Sequence, residues 1–520
     1  MRHLLLVSLL SLLPAIASAQ SWEMLRGNCT PSLSNEGPDS SRTIRAPRRL
    51  PYYYDQWQAD RIYRQLVILV SFSDLDFKSE SPRDTYNDIF NKAGYNERNG
   101  AGCVADYFRC QSGGLFNLQF DVFGPYKVSS KAQPFSAPNS NTHNYGTQAI
   151  TESTKMFLSE EPDIDFSIYD WDNDGYVNQV VYVFAGRCGN QNAEESYGYL
   201  WPNTDNIAEI TTHDGKVISS YTASAETWSN DTSCGIGTIC HEFSHSLGLP
   251  DIYPTLSDAG YSVVDEWDLM DGGNFTNYGW CPPNYSALEK MLLGWLTPVE
   301  LADPTHIAAM KPVADGGEVY MIRNTANEYY LLENRQQKGW DLGLPGKGLA
   351  IFHVNYSANK WLSNSVNNNK DAYNYSIVHA DNMDYDQWYD YIISTGSKNP
   401  YVNKPHLNNR ILSTSAYPWT DANETVNAEL TDTSTPAAVT FAFNTEGEKL
   451  MSKPITHITQ NPDGTIAFDF MGGDNSGIRL HTAERYHKQQ TYDLLGKPND
   501  NARGIVVVRS SDGTMRKLLR

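Results

Sequence analysis

The sequence predicts an α+β fold built from several domains. Two short runs rich in β-branched residues, 64–72 and 180–184, have the pattern of buried strands. Between them, residues 106–108 and 151–158 suggest helices, so strands and helices alternate as far as Pro298. This alternation indicates a first domain of the α/β or α+β type.

After Pro298 the pattern changes, because helical periodicity nearly disappears. Short strands separated by Gly, Asn and Pro are expected there, at residues 319–322, 329–332 and 348–354. A third change follows Lys453, where hairpin-like strands are expected within 491–497 and 504–508. The chain is therefore expected to divide into five segments. These are two N-terminal segments at 1–19 and 20–60, the mixed α/β or α+β domain at 61–298, a β-rich domain at 299–450 and a small β-sandwich-like C-terminal module at 451–520.

Composition and charge narrow the possible functions. The chain has 520 residues, of which 40% are hydrophobic and 19% charged, which is enough apolar material for a folded protein. Its formal net charge is −21, so the field of the whole molecule repels polyanions. Nucleic acid is therefore disfavoured as the main ligand.

The N-terminus has the layout of a cleavable secretory signal. An apolar run at 4–16 follows two basic residues and ends in Ala-Ser-Ala at 17–19, which predicts a mature start at Gln20. The alternative, a membrane anchor, needs about twenty apolar residues, and no later segment is long and apolar enough to span a bilayer. Residues 20–60 indicate a pro-segment, with a basic pair at 48–49 as a candidate cleavage point.

Seven cysteines follow the predicted signal. They are Cys29, Cys103, Cys110, Cys188, Cys234, Cys240 and Cys281. In an oxidising compartment cross-linking is favoured over metal binding. Three disulfides among the last six, with Cys29 left over, is the simplest expectation, and the connectivity stays open.

The strongest chemical signal is His-Glu-Phe-Ser-His at residues 241–245. Residues four apart lie on one helical face, about 6 Å from each other. His241 and His245 can therefore direct their imidazoles at one tetrahedral metal ion, with Glu242 beside the open coordination position.

A turn after this helix would supply a third ligand. Gly248 can adopt the left-handed conformation that ends a helix, and Pro250 prevents the helix from resuming. Asp251 would then return to the metal and leave the fourth position to water, as in catalytic zinc sites. Zinc lowers the pKa of such a water, and Glu242 can accept its proton during attack on a peptide carbonyl and later protonate the leaving amine. The alternative is a solvated helical face, with Asp251 capping the next segment.

Several separated motifs together resemble the immune inhibitor A family of secreted bacterial zinc metallopeptidases. They lie at 106–108, 119–126, 241–251, 267–270, 292–296, 332–335 and 339–341. The resemblance implies a zymogen with a zincin-like, metzincin-related catalytic domain at 61–298. It also implies zinc ligands at His241, His245 and Asp251, and catalysis by Glu242.

The same resemblance places Met270 in the Met-turn beneath the metal, although a single Met in a turn is also a common core filler. Two residues depart from the family pattern. Ser244 stands where relatives usually have Gly, and Asp271 follows the methionine where a small or hydroxyl residue is usual. Tyr278 and Tyr285 are candidates for stabilising the oxyanion, without a diagnostic spacing.

A second metal site is predicted at residues 170–176. Asp170, Asp172 and Asp174, with the backbone of Tyr176, offer hard oxygen ligands to calcium, as in the first half of an EF-hand loop. The usual twelfth-position glutamate is missing, because Val181 stands there. The alternative is an exposed acidic turn.

Two further residues have competing interpretations. His353 lies in a strand-like run, where a hydrogen-bonded structural histidine is favoured over a metal ligand. Cys29 is a candidate latency thiolate for the zinc. A disulfide partner or an untethered leader thiol would account for Cys29 equally well.

The C-terminal segment resembles a type IX secretion sorting domain, through residues 492–496, 504–508 and the basic pair Arg516-Lys517. This resemblance implies export by dedicated secretion machinery and later removal of the module. Otherwise the segment is a small β accessory domain.

Together these observations predict a secreted or cell-surface bacterial zinc endopeptidase, monomeric, acting on protein or peptide substrates, with calcium as a second cation. The alternative is a non-catalytic surface binding or adhesion protein on a peptidase scaffold. Glu242 favours the enzyme, because a binding protein needs no general base beside the metal.

Overall fold

The computed structural model describes residues 57–134, 143–191, 196–256, 262–383, 412–421 and 423–473, and three backbone strands within 490–519. The predicted signal peptide, most of the pro-segment and Cys29 lie outside the described residues. The chain divides into two compact units, Met1–Gly473 and Asp474–Arg520.

A five-stranded mixed sheet forms the centre of the first region, in the order β2-β1-β3-β5-β4. Its strands are β1 Ile62–Ser71, β2 Asn117–Lys127, β3 Val180–Arg187, β4 Asn203–Thr211 and β5 Val217–Thr227. All neighbouring strands are parallel except β4, which runs antiparallel to β5. The strands predicted at 64–72 and 180–184 are confirmed as β1 and β3.

Helices cover both faces of this sheet, which explains why β1 and β3 are continuously apolar. The helices of this region are α1 Pro82–Asn91, α2 Val104–Gln111, α3 Thr147–Glu160, α4 Gly237–Ser246 and α5 Ala287–Leu292. Helix α3 packs on one face, and the other four pack on the opposite face. The helices predicted at 106–108 and 151–158 are confirmed as α2 and α3. No described helix combines the length and apolar character needed to cross a membrane.

Past Pro298 the described chain is mainly β-structure. One sheet has the order β11-β10-β9-β8-β6 and another the order β14-β15-β7, beside a two-stranded β12-β13 ribbon. The elements are β6 Val299–Glu300, β7 Thr305–Met310, β8 Tyr320–Arg323, β9 Glu328–Arg335, β10 Gly348–Asn355, α6 Ala358–Leu362, β11 Tyr375–Ile377, β12 Trp419–Thr420, β13 Val426–Asn427, β14 Ile455–Gln460 and β15 Ile466–Phe470. The α+β class is confirmed, with several sheets and few helices.

Residues on both sides of Pro298 share one hydrophobic core. It runs from the helical face of the first sheet to strands β8 to β11. The rings of Tyr107 and Trp340, for example, meet edge to face with centroids 5.0 Å apart. Strand β14 pairs with β15, and β15 pairs with β7. All three strands belong to the first compact unit, which extends to Gly473, beyond the expected boundary at residue 451.

The second unit contains a three-stranded antiparallel sheet in the order β16-β17-β18, formed by Gln490–Tyr492, Ile505–Arg509 and Met515–Leu519. Strands are therefore found within both predicted C-terminal segments.

The expectation of three disulfides is wrong for the described residues, because all six cysteines there are free thiols. Five of the six are buried, and burial raises the pKa of the Cys103 and Cys281 thiols to about 12. They serve as small apolar packing groups. Cys188 and Cys234 are in contact, with their Sγ atoms 3.3 Å apart and not bonded.

A buried ion network joins the two regions on either side of Pro298. The Arg335 guanidinium on β9 donates to Asp341 at 2.7 and 2.8 Å and to Glu333 at 3.2 Å, and all three side chains are fully buried. Asp341 also accepts from the backbone N of Asn284, and Glu333 from that of Ala287 at the start of α5.

Substituting Arg335→Leu is expected to destabilise the protein by about 3–5 kcal/mol, because it leaves two buried carboxylates without their cation. Denaturant unfolding of the full chain measures this. The matched control is Arg323→Leu, which removes an exposed ion pair with Glu300 and should change stability by less than about 1 kcal/mol. Equal losses in the two variants would contradict the role given to the buried network.

Candidate metal centre and active site

The His-Glu-x-x-His segment lies on α4, as predicted. Helix α4 starts at Gly237, where a Cβ would lie only 2.0 Å from the carbonyl oxygen of Asn274, so no larger residue fits. It ends at Ser246, and Gly248 follows with a φ of +97°. This left-handed residue turns the chain back toward the helix, as expected for a glycine past a helix end. The turn carries Asp251 to the face that bears the two histidines.

His241, His245 and Asp251 converge on one point. The Nε2 atoms of both imidazoles lie 3.2 Å from the Oδ1 atom of Asp251. Within the described residues these three side chains form a group whose donor atoms could hold one metal ion. His241 Nε2 and Asp251 Oδ1 are buried without a hydrogen-bond partner, which is costly unless another group, such as a cation, satisfies them. Two imidazoles and a carboxylate match the donor set of a catalytic zinc site.

The other ring nitrogens hold both imidazoles in orientation. His241 Nδ1 lies 2.8 Å from the carbonyl oxygen of Leu269, and His245 Nδ1 lies 2.8 Å from that of Leu249. A carbonyl can only accept, so each Nδ1 carries the proton and each Nε2 lone pair faces the cluster. Met270 is fully buried, and its carbonyl accepts from the backbone N of Ile252 at 2.8 Å. The turn around Met270 therefore supports both a histidine and the loop of Asp251.

The electrostatics of the cluster favour a bound cation. Burial acts to raise the pKa of Asp251, but the two imidazoles hold that pKa well below its usual range. Burial acts to lower the pKa of His245, and the Asp251 carboxylate reverses this and raises it to about 9. Because a metal ion binds the deprotonated imidazole, a metal at this cluster would compete with protonation of His245.

Glu242 lies next to this cluster and is almost fully buried. Burial raises the pKa of its carboxyl group, and His241 and His245 offset part of that shift. Thr204 on β4 has its hydroxyl 2.6 Å from the Glu242 carbonyl oxygen and 3.2 Å from Oε2. The antiparallel strand β4 is thereby fixed beside helix α4.

The two departures from the family pattern have local explanations. The Ser244 hydroxyl lies 2.6 Å from the carbonyl oxygen of Cys240 and hydrogen-bonds the hydroxyl of Tyr285. Tyr285 is fully buried against α4 and is therefore poorly placed to contact a substrate. Asp271 accepts from the backbone N of Asp265 at 2.9 Å and so organises its own turn.

Tyr278, the other tyrosine considered for the oxyanion, is half-buried beneath the guanidinium of Arg98.

The acidic loop brings Asp170, Asp172 and Asp174 together, with one oxygen of each within 4.8 Å of the others. Asp170 already has partners. Its Oδ2 pairs with the Lys216 ammonium at 2.8 Å and accepts from the backbone N of Gly175 at 2.9 Å. A cation at this loop would compete with Lys216. His353 belongs neither to the acidic loop nor to the cluster around Asp251. Its Nε2 atom lies 2.8 Å from Glu328 Oε1.

Three residues at the centre were missed by the sequence reasoning. They are Thr204, Tyr253, whose ring stacks parallel to that of His241 with centroids 6.4 Å apart, and Asn364, which binds Asp251 through both amide atoms. Tyr253 stands two residues after Asp251, so its position beside the motif was a signal that could have identified it. Thr204 and Asn364 carry no local signal, because tertiary folding alone brings them to the site.

A His-Glu-x-x-His helix with a returning carboxylate is the arrangement that metallopeptidases use to bind a catalytic zinc ion. Comparison with known proteins finds a similarity in the first part of the chain. Residues 56–293, less than half of the chain, are similar to the immune inhibitor A peptidase M6 catalytic domain.

Two named relatives are distant. The chain is 21% identical to the pre-pro-metalloprotease PrtV of Vibrio cholerae serotype O1, over 45% of this chain and 30% of the relative. It is 23% identical to immune inhibitor A of Bacillus thuringiensis subsp. alesti, over 55% of this chain and 48% of the relative. The chain thus spans less than half the length of the curated relatives that it matches.

Proposed function

We propose that this protein is a zinc-dependent endopeptidase that cleaves protein substrates. The observation that carries the proposal is the convergence of two imidazole nitrogens on one carboxylate oxygen, with Nε2 of His241 and of His245 each 3.2 Å from Asp251 Oδ1. These residues would hold the ion in a zincin-like catalytic domain. Zinc, when bound, would activate a water molecule and polarise the peptide carbonyl.

In this proposal Glu242 is the general base and acid. It accepts the proton of the attacking water and then delivers it to the leaving amine. Its buried carboxyl group lies on helix α4, with Oε2 3.2 Å from the hydroxyl of Thr204. Glu242 is only 6% exposed, so bulk water has little access to its carboxyl group.

Strand β4 is the proposed binding edge for the substrate. It pairs only with β5 among the described strands, and Thr204 anchors it beside Glu242. An extended peptide can add to such an edge through backbone hydrogen bonds, and side-chain pockets then set the preference. This mode suits an endopeptidase, because it recognises the middle of a chain rather than its end.

The test is proteolysis of casein and gelatin by the full chain, before and after limited trypsin treatment to release the proposed pro-segment. We expect activity that a zinc chelator abolishes and that one equivalent of zinc restores. Metal-loaded, processed protein that binds casein but does not cleave it would support the binding-protein alternative and contradict the proposal.

We further propose secretion as a zymogen. The apolar run at 4–16 supports export, and the basic pair at 48–49 supports removal of a pro-segment with Cys29 as a latency thiol. Residues 451–520 would engage secretion machinery, and the mature enzyme would be a monomer. N-terminal sequencing and sizing of the exported protein test these points, and an exported protein that retains residues 1–60 would contradict them.

Calcium is proposed as a second cation at Asp170, Asp172, Asp174 and the Tyr176 backbone, supported by the convergence of the three carboxylates. Millimolar calcium should then raise the thermal midpoint of the wild-type protein, because a ligand that binds only the folded state stabilises it. The shift should vanish in an Asp172→Asn, Asp174→Asn double variant and persist in the exposed control Asp371→Asn. An equal calcium response in all three proteins would contradict the site.

A further inference from the structure

The segment after strand β10 packs against the loop that carries Asp251. Helix α6 ends at Leu362, and Asn364 follows with a φ of +49°. Asparagine is one of the few residues other than glycine that adopt this left-handed conformation readily, and it commonly does so just past a helix end. This conformation fixes the direction in which the Asn364 side chain leaves the backbone.

Asn364 holds Asp251 at two points. Its Oδ1 atom accepts from the backbone N of Asp251 at 2.7 Å, and its Nδ2 atom donates to Asp251 Oδ2 at 2.7 Å. Both residues are about 5% exposed, so these hydrogen bonds are shielded from water. The outer carboxylate oxygen is thus occupied, and only Oδ1 faces the two histidines.

Neighbouring residues hold the same loop without touching the carboxylate. Asn367 donates to the carbonyl oxygen of Ile252 at 2.9 Å, and Asn368 accepts from the backbone N of Thr255 at 2.7 Å. All three asparagines lie outside residues 56–293, which match the peptidase family model. The β-rich region therefore supplies direct contacts to the metal centre.

We propose that Asn364 is a positioning residue for the metal. It fixes the rotamer of Asp251 and keeps Oδ2 occupied, so the carboxylate binds the ion through Oδ1 alone. This inference rests on the zinc site of the proposed function. Hydrogen-bond partners of metal ligands typically contribute about 10- to 100-fold to metal affinity.

The test measures zinc affinity by competition with a chromophoric chelator, using the full chain. The variant is Asn364→Gly, which tolerates the positive φ and removes the side chain with both of its hydrogen bonds to Asp251. We expect its zinc affinity to fall about 10- to 100-fold. The matched control Asn368→Ala loses hydrogen bonds to the same loop, and its affinity should stay within about twofold of wild type, because the carboxylate is untouched.

Unchanged zinc affinity in Asn364→Gly would overturn the inference, as would an equal loss in Asn368→Ala, which would indicate a general effect on loop stability. Thermal midpoints of the metal-free proteins check that both variants fold. A wild-type protein that binds no zinc would contradict the proposed function as well, so the two failures are distinguishable.

Discussion

Replacing Glu242 with Gln is expected to abolish most proteolysis while leaving zinc in place. Gln has the shape of the protonated Glu and can keep the contact with Thr204, but it cannot accept a proton from water. General acid–base catalysis contributes roughly 10²- to 10⁴-fold, so kcat/KM on an internally quenched peptide should fall by about that factor. Zinc content, measured by elemental analysis, should match that of the wild type.

The control for this prediction is Glu318→Gln, which removes a carboxylate that hydrogen-bonds Tyr320 on strand β8. Its activity should equal that of the wild type. Activity of Glu242→Gln within a few-fold of wild type would remove Glu242 from the mechanism. Loss of zinc in that variant would instead mean that the carboxylate helps to bind the metal.

Replacing His245 with Ala is expected to remove both the metal and the activity. Three protein ligands are the minimum of a catalytic zinc site, and His245 supplies one of the two imidazoles that meet at Asp251. Zinc should fall from one equivalent to a small fraction after dialysis against buffer that contains micromolar chelator, and proteolysis should fall below detection.

The matched control is His457→Ala. His457 is exposed and pairs with Asp469, and neither residue belongs to the groups that could hold a metal. This variant should keep full zinc content and activity. Retention of one zinc equivalent by His245→Ala would show that the metal is bound elsewhere.

The parts of the site that follow from local geometry were predictable from sequence. The spacing of His241 and His245 fixes their common face on a helix, and Gly248 fixes the turn that returns Asp251. These relations involve eleven consecutive residues, so no knowledge of the fold is needed. The strands β1 and β3 were predictable for a similar reason, because burial on both faces leaves a continuous apolar run.

Long-range contacts were not predictable. Asn364 is 113 positions from Asp251, and no pattern of periodicity or spacing connects them. The pairing of β14 with β15 and of β15 with β7 likewise depends on partners far apart in the chain, so the boundary expected at residue 451 does not coincide with the division of the compact units. The cysteines were misjudged because their number and compartment suggested bridges, whereas five of the six described cysteines lie in the core as packing residues.

The most direct test of the metal centre is zinc X-ray absorption spectroscopy of the purified zinc-loaded protein, after removal of the proposed pro-segment. We predict one zinc per chain, with a first shell of nitrogen and oxygen at about 2.0–2.2 Å and outer-shell scattering from two imidazoles. In Asn368→Ala the spectrum should be unchanged, and in His245→Ala the two-imidazole signature should be lost. A zinc ion without imidazole scattering in the wild-type protein, or no bound zinc, would contradict the assignment of His241, His245 and Asp251 as its ligands.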